Sequence, residues 1–292
     1  MRPTIQDLLA QRKTIVYDGA TTTMLRTMGL GPSTAPESWV MENGVQVFAV
    51  AQSYVNAGAQ IIMTCTFGGT EFALRAAHVT TPMAELNHRA AELARQAAGD
   101  TALVAGSIGP LGSLALQMQT LTYGEAVRQY EDQAGALVEG GVDLLHIETM
   151  SDMQETRAAI EGVRRVTDLP IFATLSFDTQ GRTALGLPPD IAAQFLVELG
   201  VTAIGANCGR GPEALATILR EMRRADSKIP LIAKPNTGEP DARTGRASIP
   251  MPPPLFANWA REWIRASAKI IGGCCGTTPE HIAALKQLVG GN

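Results

Sequence analysis

Three cysteines in the last third of the chain have the residue type and setting of a metal site. Cys274 and Cys275 are adjacent, follow a short apolar run and lie between glycines, and Cys208 also follows an apolar run and meets a glycine. Zinc favours thiolate ligands, and a catalytic zinc site uses three protein ligands with one position open. We therefore predict that Cys208, Cys274 and Cys275 bind one zinc ion. The alternative is that one or two of them are small buried hydrophobic residues.

The chemistry that such a site would perform is the activation of a thiol. A free thiol is mostly protonated at neutral pH, whereas the thiolate is the nucleophile. Binding to zinc removes the thiol proton. Three protein thiolates and a substrate thiolate would leave the site negatively charged, so the bound sulfur would stay nucleophilic.

The elements that must position the cysteines are short apolar runs that alternate with helical segments. The predicted strands lie at residues 15–17, 61–67, 103–108, 144–149, 171–177, 203–208, 231–236 and 269–275. The predicted helices lie around residues 47–55, 83–98, 123–139, 152–166, 190–199, 212–224 and 255–267, and a last helix follows Thr277 or Thr278. This alternation indicates a parallel sheet covered by helices. Eight units favour a (β/α)8 TIM barrel, α/β in class and a single domain over residues 1–292, and a doubly wound open sheet is the alternative.

Strands six and eight of such a barrel bring Cys208 towards the adjacent cysteine pair. Neighbouring residues in a regular strand face opposite ways, so Cys274 and Cys275 can share one ion only where the backbone leaves strand geometry. Gly272, Gly273 and Gly276 make that departure easy.

Polar side chains end nearly every predicted strand, which is the edge where barrels of this type build their active sites. They are Asp18, Thr64, Cys65, Thr66, Ser107, Glu148, Ser176, Asp178, Asn207, Cys208, Asn236, Cys274 and Cys275. Turn chemistry alone accounts for any single one of them. Glu148 carries more weight, because a carboxylate that ends an apolar strand is costly to bury unpaired. Its partner is either a bound ammonium group or a barrel cation such as Lys234.

Several other residues are predicted to be structural. Cys65 is expected to be a small buried residue near the pocket rather than a metal ligand, and His146 a buried histidine with its hydrogen bonds satisfied. His281 is expected to face solvent from the last helix. Residues 236–254, rich in glycine and proline, are expected to form a long loop at the active-site end. The glycine-rich stretches at 106–112 and 205–211 lack the spacing of a nucleotide site.

Composition excludes several function classes. The chain has 292 residues, a net charge of −4 and four cysteines, so neither nucleic acid nor an anionic membrane is an expected partner, and a secreted disulfide framework is not indicated. The first residues lack a signal-peptide apolar core, and no apolar run approaches the roughly 20 residues of a membrane helix. We expect a cytoplasmic protein. The aromatic share of 5% argues against an aromatic cage for a quaternary ammonium group, although Trp39, Trp259 and Trp263 could still contribute to one.

Taken together, these stretches resemble the homocysteine S-methyltransferase family. The matching stretches lie at residues 18–23, 64–68, 106–110, 148–152, 205–208, 235–240 and 272–279, and they occur in the family's order. Within this family, the sequence of these stretches looks most similar to the homocysteine-binding module of cobalamin-dependent methionine synthase. The sequence departs from the family pattern at Cys65, at Thr22 and Thr23, and at residues 248–250, which surround the pocket rather than the metal site.

The resemblance implies roles for particular residues. Cys208, Cys274 and Cys275 would be the zinc ligands, with the sulfur of homocysteine in the open position. The amino acid end would be held by Asp18, Gly19, Ala20 and Glu148, with Glu148 on the ammonium, and Asn236 would line the same pocket.

The resemblance also implies a reaction, the methylation of L-homocysteine to methionine. Too few residues follow the last predicted helix for a corrinoid- or folate-binding domain. The expected donor is therefore a separate methyl-corrinoid protein or a small methylated sulfonium or ammonium compound. Two alternatives stay open at this point. One is a corrinoid-linked methyltransferase or demethylase that acts on another methylated substrate, and the other is a non-catalytic zinc module that binds thiols.

Overall fold

The strands form a closed parallel barrel. The computed structural model describes residues 2–112, 115–116, 118–178, 180–209, 211–238 and 251–291. Eight strands pair in the order β1-β8-β7-β6-β5-β4-β3-β2, every pair parallel. A bridge between Tyr17 and Ile61 joins the end of β1 to β2 and completes the ring. The predicted (β/α)8 barrel is confirmed, and the open sheet is excluded.

The strands begin within one residue of the predicted starts. They are β1 (Ile15–Val16), β2 (Ile61–Met63), β3 (Leu103–Ile108), β4 (Leu144–Met150), β5 (Ile171–Leu175), β6 (Ala203–Cys208), β7 (Leu231–Pro235) and β8 (Ala268–Ile271). However, β2, β5 and β8 end two to four residues before the predicted ends, so Cys274 and Cys275 follow β8 rather than belong to it. Their residues are almost all buried because the barrel interior lies on one face and the surrounding helices lie on the other.

The longer helices also match the prediction. The helices are α1 (Ile5–Ala10), α2 (Thr21–Thr27), α3 (Trp39–Glu42), α4 (Gly44–Asn56), α5 (Glu71–Ala76), α6 (Met83–Ala98), α7 (Tyr123–Glu139), α8 (Met153–Val166), α9 (Pro189–Glu198), α10 (Pro212–Ala225), α11 (Pro253–Arg265) and α12 (Pro279–Gly290). The short helices α1, α2, α3 and α5 were not predicted, because four to seven residues are too few to show a clear helical period.

The amino end of the barrel interior is apolar and covered. Each strand contributes inward side chains to one buried layer, which the short helix α1 covers with Ile5 and Leu8. The layer contains Ile15, Ile61, Leu103, Leu144, Phe172, Ala203, Ile232 and Ile270. The second, larger core lies between the strands and the outer helices. None of the helices in the described ranges combines the length and apolarity that a bilayer crossing requires.

The last helix begins at the predicted cap, but its histidine does not face solvent. Thr278 is the N-cap of α12, and its backbone N–H donates to His281 Nδ1 at 3.1 Å. His281 is 4% exposed, its Nε2 lies 2.8 Å from the carbonyl oxygen of Met251, and its ring meets Phe256 edge to face. The expectation of an exposed histidine is wrong, because α11 packs over this turn.

Candidate metal centre

The three predicted ligand cysteines meet at the carboxyl end of the barrel. Cys274 Sγ lies 3.6 Å from Cys208 Sγ, Cys208 Sγ lies 4.0 Å from Cys275 Sγ, and all three sulfurs lie within 4.8 Å of one another. Thiolates bound to one tetrahedral zinc ion at ~2.3 Å would be about 3.8 Å apart. The spacing and the donor type therefore fit zinc. We call Cys208, Cys274 and Cys275 the three-cysteine site, and in the described ranges it is the only such group of possible metal ligands.

Backbone geometry at the strand ends turns these side chains towards one point. Cys208 is the last residue of β6 and has a φ of 60°, in the left-handed region, and Gly209 follows with a φ of 69°. After β8 the chain runs on between its neighbours, since Gly273 N donates to Asp18 O at 3.0 Å and Cys274 N donates to Pro235 O at 2.8 Å. It then turns at Gly276, whose φ is 82°. The predicted departure from strand geometry is present.

The two glycines before the cysteine pair are needed for close packing rather than for an unusual φ. A Cβ on Gly273 would lie 2.3 Å from Thr277 Cγ2, and one on Gly272 would lie 2.8 Å from both Asp18 O and Tyr17 Cβ. A side chain on Gly272 would push the cysteine pair away from Tyr17 and Asp18, and one on Gly273 would collide with Thr277 in the turn after the pair. The glycines thus allow this turn to pack closely against the end of β1.

The three thiols of the site differ in the direction of their pKa shifts. Hydrogen bonds from Cys208 and Cys274 lower the pKa of Cys275 to about 3. For Cys274 the hydrogen bond with Cys208 lowers the pKa, but the hydrogen bond with Cys275 and burial raise it, to about 12. Hydrogen bonds with both partners and burial also raise the pKa of Cys208. Without a cation the site therefore favours a single thiolate, and three thiolates require bound positive charge.

Asp18 lies beside this site, but its carboxylate is paired with a buried lysine. Asp18 Oδ1 accepts from Lys234 Nζ at 2.8 Å, and Oδ2 accepts from Met63 N at 2.7 Å. Both side chains of the ion pair are at most 2% exposed. Burial raises the pKa of Asp18, and the Lys234 ammonium opposes that rise. Of the two partners considered for Glu148, Lys234 is therefore committed to Asp18.

Glu148 has its own arrangement at the end of β4. It is 5% exposed, and Oε1 accepts from Ser107 Oγ at 2.6 Å. Burial raises the pKa of Glu148 to about 7, and the nearby Lys234 ammonium opposes that rise. Among the described residues Glu148 has no direct ionic partner, because Lys234 pairs with Asp18 instead. A ligand ammonium would supply the charge that this carboxylate lacks.

The remaining predicted substrate contacts line the same end of the barrel. Ala20 N donates to Thr277 Oγ1 at 3.1 Å, and a Cβ on the preceding Gly19 would lie 2.7 Å from the same oxygen. Asn236 is 1% exposed and donates from Nδ2 to Gly209 O at 2.9 Å. No described residue donates to its Oδ1, which leaves a buried acceptor for another group. That these residues contact a substrate stays a prediction.

Two residues expected to be structural are so. Cys65 is 6% exposed, its Sγ approaches Pro36 O at 3.5 Å, and it is not part of the three-cysteine site. His146 is fully buried with both ring nitrogens at 3.0 Å from hydroxyl groups, those of Tyr17 and Thr174. Most of the predicted loop at 236–254, with Pro240 and the family departure at 248–250, lies outside the described residues.

Sequence reasoning missed a group of hydrogen-bonded side chains next to the three-cysteine site. Asn207 was noted only as a polar strand end, yet its Nδ2 points to Cys274 Sγ at 3.9 Å. Thr149 and Thr174 both bond to the Asn207 side chain. Their proximity depends on the barrel register, which no local pattern encodes.

Comparison with known proteins gives one family. The family model described as homocysteine S-methyltransferase matches residues 15–289. The methionine synthase of Mycobacterium tuberculosis is 29% identical over 304 residues, which cover 97% of this chain and 25% of that protein. The methionine synthase of Mycobacterium leprae is 30% identical over 255 residues, which cover 82% of this chain and 21% of that protein. The chain thus spans about a quarter of the length of these curated relatives.

Solved structures show the same fold over the whole barrel. The metallated form of the homocysteine methyltransferase MmuM from Escherichia coli matches with a TM-score of 0.81 and 27% identity, covering 97% of this chain and 98% of that one. Its apo form matches with a TM-score of 0.75 at the same identity, over 96% and 98% of the two chains. The carboxyl transferase domain of Rhizobium etli pyruvate carboxylase, at 12% identity and a TM-score of 0.53, shares the fold alone.

Proposed function

The chain belongs to the homocysteine S-methyltransferase family, and from that premise we propose that it moves a methyl group to the thiol of L-homocysteine, giving methionine, in a zinc-dependent reaction. The observation that supports this most is the three-cysteine site, whose sulfurs lie within 4.8 Å of one another at the open end of the barrel. The proposal treats residues 1–292 as one homocysteine-binding barrel domain. A cluster of free thiols suits a reducing compartment, so we infer a cytoplasmic location.

The proposed metal ligands are Cys208, Cys274 and Cys275. Zinc bound there would take the substrate thiol at its open position and hold it as a thiolate. Within the site, the close packing of Gly272 against Tyr17 and Asp18 and of Gly273 against Thr277 keeps the cysteine pair facing Cys208. The protein thereby fixes where the substrate sulfur must sit.

The proposed amino acid site is built around Glu148. Ser107 Oγ holds Glu148 Oε1 at 2.6 Å, so the carboxylate has a fixed orientation. Because the carboxylate is buried without a direct cation, the substrate ammonium is the partner that stabilises its charged form. Asp18 contributes through its ion pair with Lys234, and Gly19, Ala20 and Asn236 line the remaining wall of the pocket.

Two kinds of methyl donor fit the comparisons. The match to the methionine synthases supports a methyl-corrinoid protein as the donor. MmuM, named a homocysteine methyltransferase, matches this chain over 98% of its own length. Small methylated sulfonium and ammonium compounds are the second donor class that we propose.

A methyl-transfer assay tests the proposed function. The zinc-loaded protein is incubated with homocysteine and, in turn, a methylsulfonium, a methylammonium and a methyl-corrinoid donor, and methionine is measured by mass spectrometry. We expect methionine with one donor class, none with Cys208→Ala, and an unchanged rate with Cys65→Ala, which removes a thiol outside the site. A protein that holds zinc yet makes no methionine with any donor would contradict the proposal.

A further inference from the structure

Strand β4 is irregular at the point where it delivers Glu148. Ile147 pairs with Ala173 and Met150 pairs with Leu175, so Glu148 and Thr149 together lie opposite one residue of β5. A strand with one extra residue bends locally, and such bulges often re-aim a side chain beside an active site. Here the bulge places Glu148 at the barrel mouth.

The second residue of this bulge has an unfavourable backbone conformation. Thr149 has a φ of 61°, and it is the only β-branched residue with a positive φ among the described parts of the chain. A β-branched residue in the left-handed region is a genuine outlier, and it persists only where surrounding contacts hold it. The contacts that hold Thr149 in this conformation therefore indicate a functional role for this part of β4.

Those contacts form a reciprocal pair with Asn207. Thr149 N donates to Asn207 Oδ1 at 2.9 Å, and Asn207 Nδ2 donates to Thr149 Oγ1 at 2.7 Å. The backbone N–H can only donate, so the orientation of the amide is settled. The pair joins β4 to β6 across the end of β5, since these two strands are not neighbours in the barrel.

The amide of Asn207 is also held from the barrel interior. Burial and the Lys234 ammonium lower the pKa of His146 well below its usual value, so the ring is neutral. Tyr17 OH and Thr174 Oγ1 each lie 3.0 Å from one of its nitrogens, and Thr174 donates to Asn207 Oδ1 at 2.7 Å. Because Thr174 donates to Asn207, it accepts from His146 Nε2–H. Tyr17 OH therefore donates to His146 Nδ1. The amide is left no alternative orientation.

Each member of the pair adjoins a residue of the proposed substrate site. Thr149 follows Glu148, and Asn207 precedes Cys208 and points its Nδ2 at Cys274 Sγ, 3.9 Å away. We propose that the Thr149–Asn207 pair is a positioning element that fixes the separation between the ammonium-binding carboxylate and the thiol-binding sulfurs, and so selects an amino acid thiol by the length of its carbon chain. This inference rests on the proposed function.

Chain-length selection needs such a rigid connection. Homocysteine and cysteine differ by one methylene between the thiol and the amino-bearing carbon. A site whose two ends move independently would accept both, whereas a site with a fixed separation binds only one of them at both ends. The pair supplies that rigidity because it ties the two strand ends directly to each other.

The test compares two variants that differ by one oxygen. Thr149→Ala removes the acceptor for Asn207 Nδ2, and Thr149→Ser keeps it. For each zinc-loaded protein, metal content is measured, and dissociation constants are measured by calorimetry for homocysteine, for cysteine and for the desamino analogue of homocysteine. The analogue has the thiol and the chain length but no ammonium, so it reports sulfur binding alone.

We expect full zinc occupancy in all three proteins. Thr149→Ala should lose about tenfold in homocysteine affinity, Thr149→Ser should stay within about twofold, and the preference for homocysteine over cysteine should narrow only in the alanine variant. Affinity for the desamino analogue should not change. An unchanged preference in Thr149→Ala, an equal loss in Thr149→Ser, or loss of zinc from Thr149→Ala would each overturn the proposal.

These binding data, combined with the methyl-transfer assay described above, separate this proposal from the proposed function. Wild-type protein that binds homocysteine with the expected preference but forms no methionine would refute the methyltransferase reaction and leave the positioning element standing. Methionine formation by the wild type, together with an unchanged preference of Thr149→Ala for homocysteine over cysteine, would support the methyltransferase reaction and refute the positioning element. Wild-type protein that holds zinc and binds neither amino acid thiol would overturn both.

Discussion

The two ends of the barrel interior are built from opposite kinds of side chain. At the amino end, Leu103, Leu144 and Ile270 are at most 1% exposed and pack beneath helix α1. At the carboxyl end, the same barrel buries an ion pair and a carboxylate with a raised pKa, and it holds three half-buried thiols. Burial of apolar side chains stabilises the amino end. The polar groups at the carboxyl end lose their hydration, and only specific hydrogen-bond or charge partners compensate for that loss.

The backbone at the carboxyl end is irregular at the candidate site itself. It holds a bulge in β4 and two non-glycine residues with positive φ, Thr149 and Cys208. The amino end has a register shift between β7 and β8 and a φ of 70° at Ser267, but no buried ion pair among the described residues. Buried charge is thus concentrated at the carboxyl end, which indicates that this end is shaped by its chemistry and the other end by stability. Four predictions test that division, from the largest expected effect to the smallest.

The largest effect is expected from the loss of one sulfur. Cys208→Ala removes a proposed zinc ligand, and zinc affinity should fall by more than the roughly 10- to 100-fold that is typical of losing an outer partner. A competition titration against a chromophoric chelator measures this affinity. The zinc-free unfolding free energy should change little, because Cys208 packs at the mouth rather than in the apolar layer.

Cys65→Ala is the matched control for that experiment. It removes a buried thiol that lies outside the three-cysteine site. Its zinc affinity should equal that of the wild type. Equal zinc affinity in Cys208→Ala and Cys65→Ala would mean that the metal binds elsewhere.

The next effect concerns the buried ion pair at the mouth. Asp18→Asn leaves the Lys234 ammonium without its counter-charge, which should lower the free energy of unfolding by about 3–5 kcal/mol. The double variant Asp18→Asn, Lys234→Met removes both charges and should regain most of that loss. Urea denaturation of the zinc-free proteins measures both. If the double variant is as unstable as the single one, the pair is a net source of stability and the two ends are less different than proposed.

The amino end should respond in the opposite way. Leu103→Ala should lower the free energy of unfolding by about 2–5 kcal/mol, because it leaves a cavity in the apolar layer. Its zinc affinity, measured at a temperature where the variant stays folded, should match the wild type. Weaker zinc binding in Leu103→Ala would show that the two ends are coupled.

The smallest effect is a pH dependence. Burial raises the pKa of Glu148 to about 7, and only its carboxylate form pairs with an ammonium. Homocysteine affinity should therefore be lower below that pKa and rise through it, by about tenfold between about pH 6 and about pH 8. The substrate thiol adds its own pH dependence, so the profile is compared with that of Glu148→Gln. The two profiles should differ by that rise, and parallel profiles would remove Glu148 from the ammonium site.

The sequence predicts the barrel well because its signals are local. Each strand is a short apolar run, each long helix has a clear period, and the glycines beside Cys274 and Cys275 mark a departure from strand geometry that the structure confirms. The meeting of Cys208 with that pair could be predicted because a closed barrel brings strands six and eight together at one end.

What the sequence does not predict depends on long-range packing. Lys234 was considered as a partner of Glu148, but the barrel register brings it to Asp18. His281 was expected to be exposed, and α11 buries it. The left-handed Thr149 has no local signal, since neither glycine nor asparagine occupies the position. Each of these outcomes is decided by contacts between residues far apart in the chain.

The most direct test of the account is X-ray absorption at the zinc edge, without and with homocysteine. Three protein sulfurs at about 2.3 Å are expected before addition and four sulfurs afterwards, because the substrate thiolate fills the open position. The desamino analogue should give the same change. A zinc ion whose sulfur coordination number does not rise when homocysteine is bound would contradict the central claim that these three cysteines present a metal to the substrate thiol.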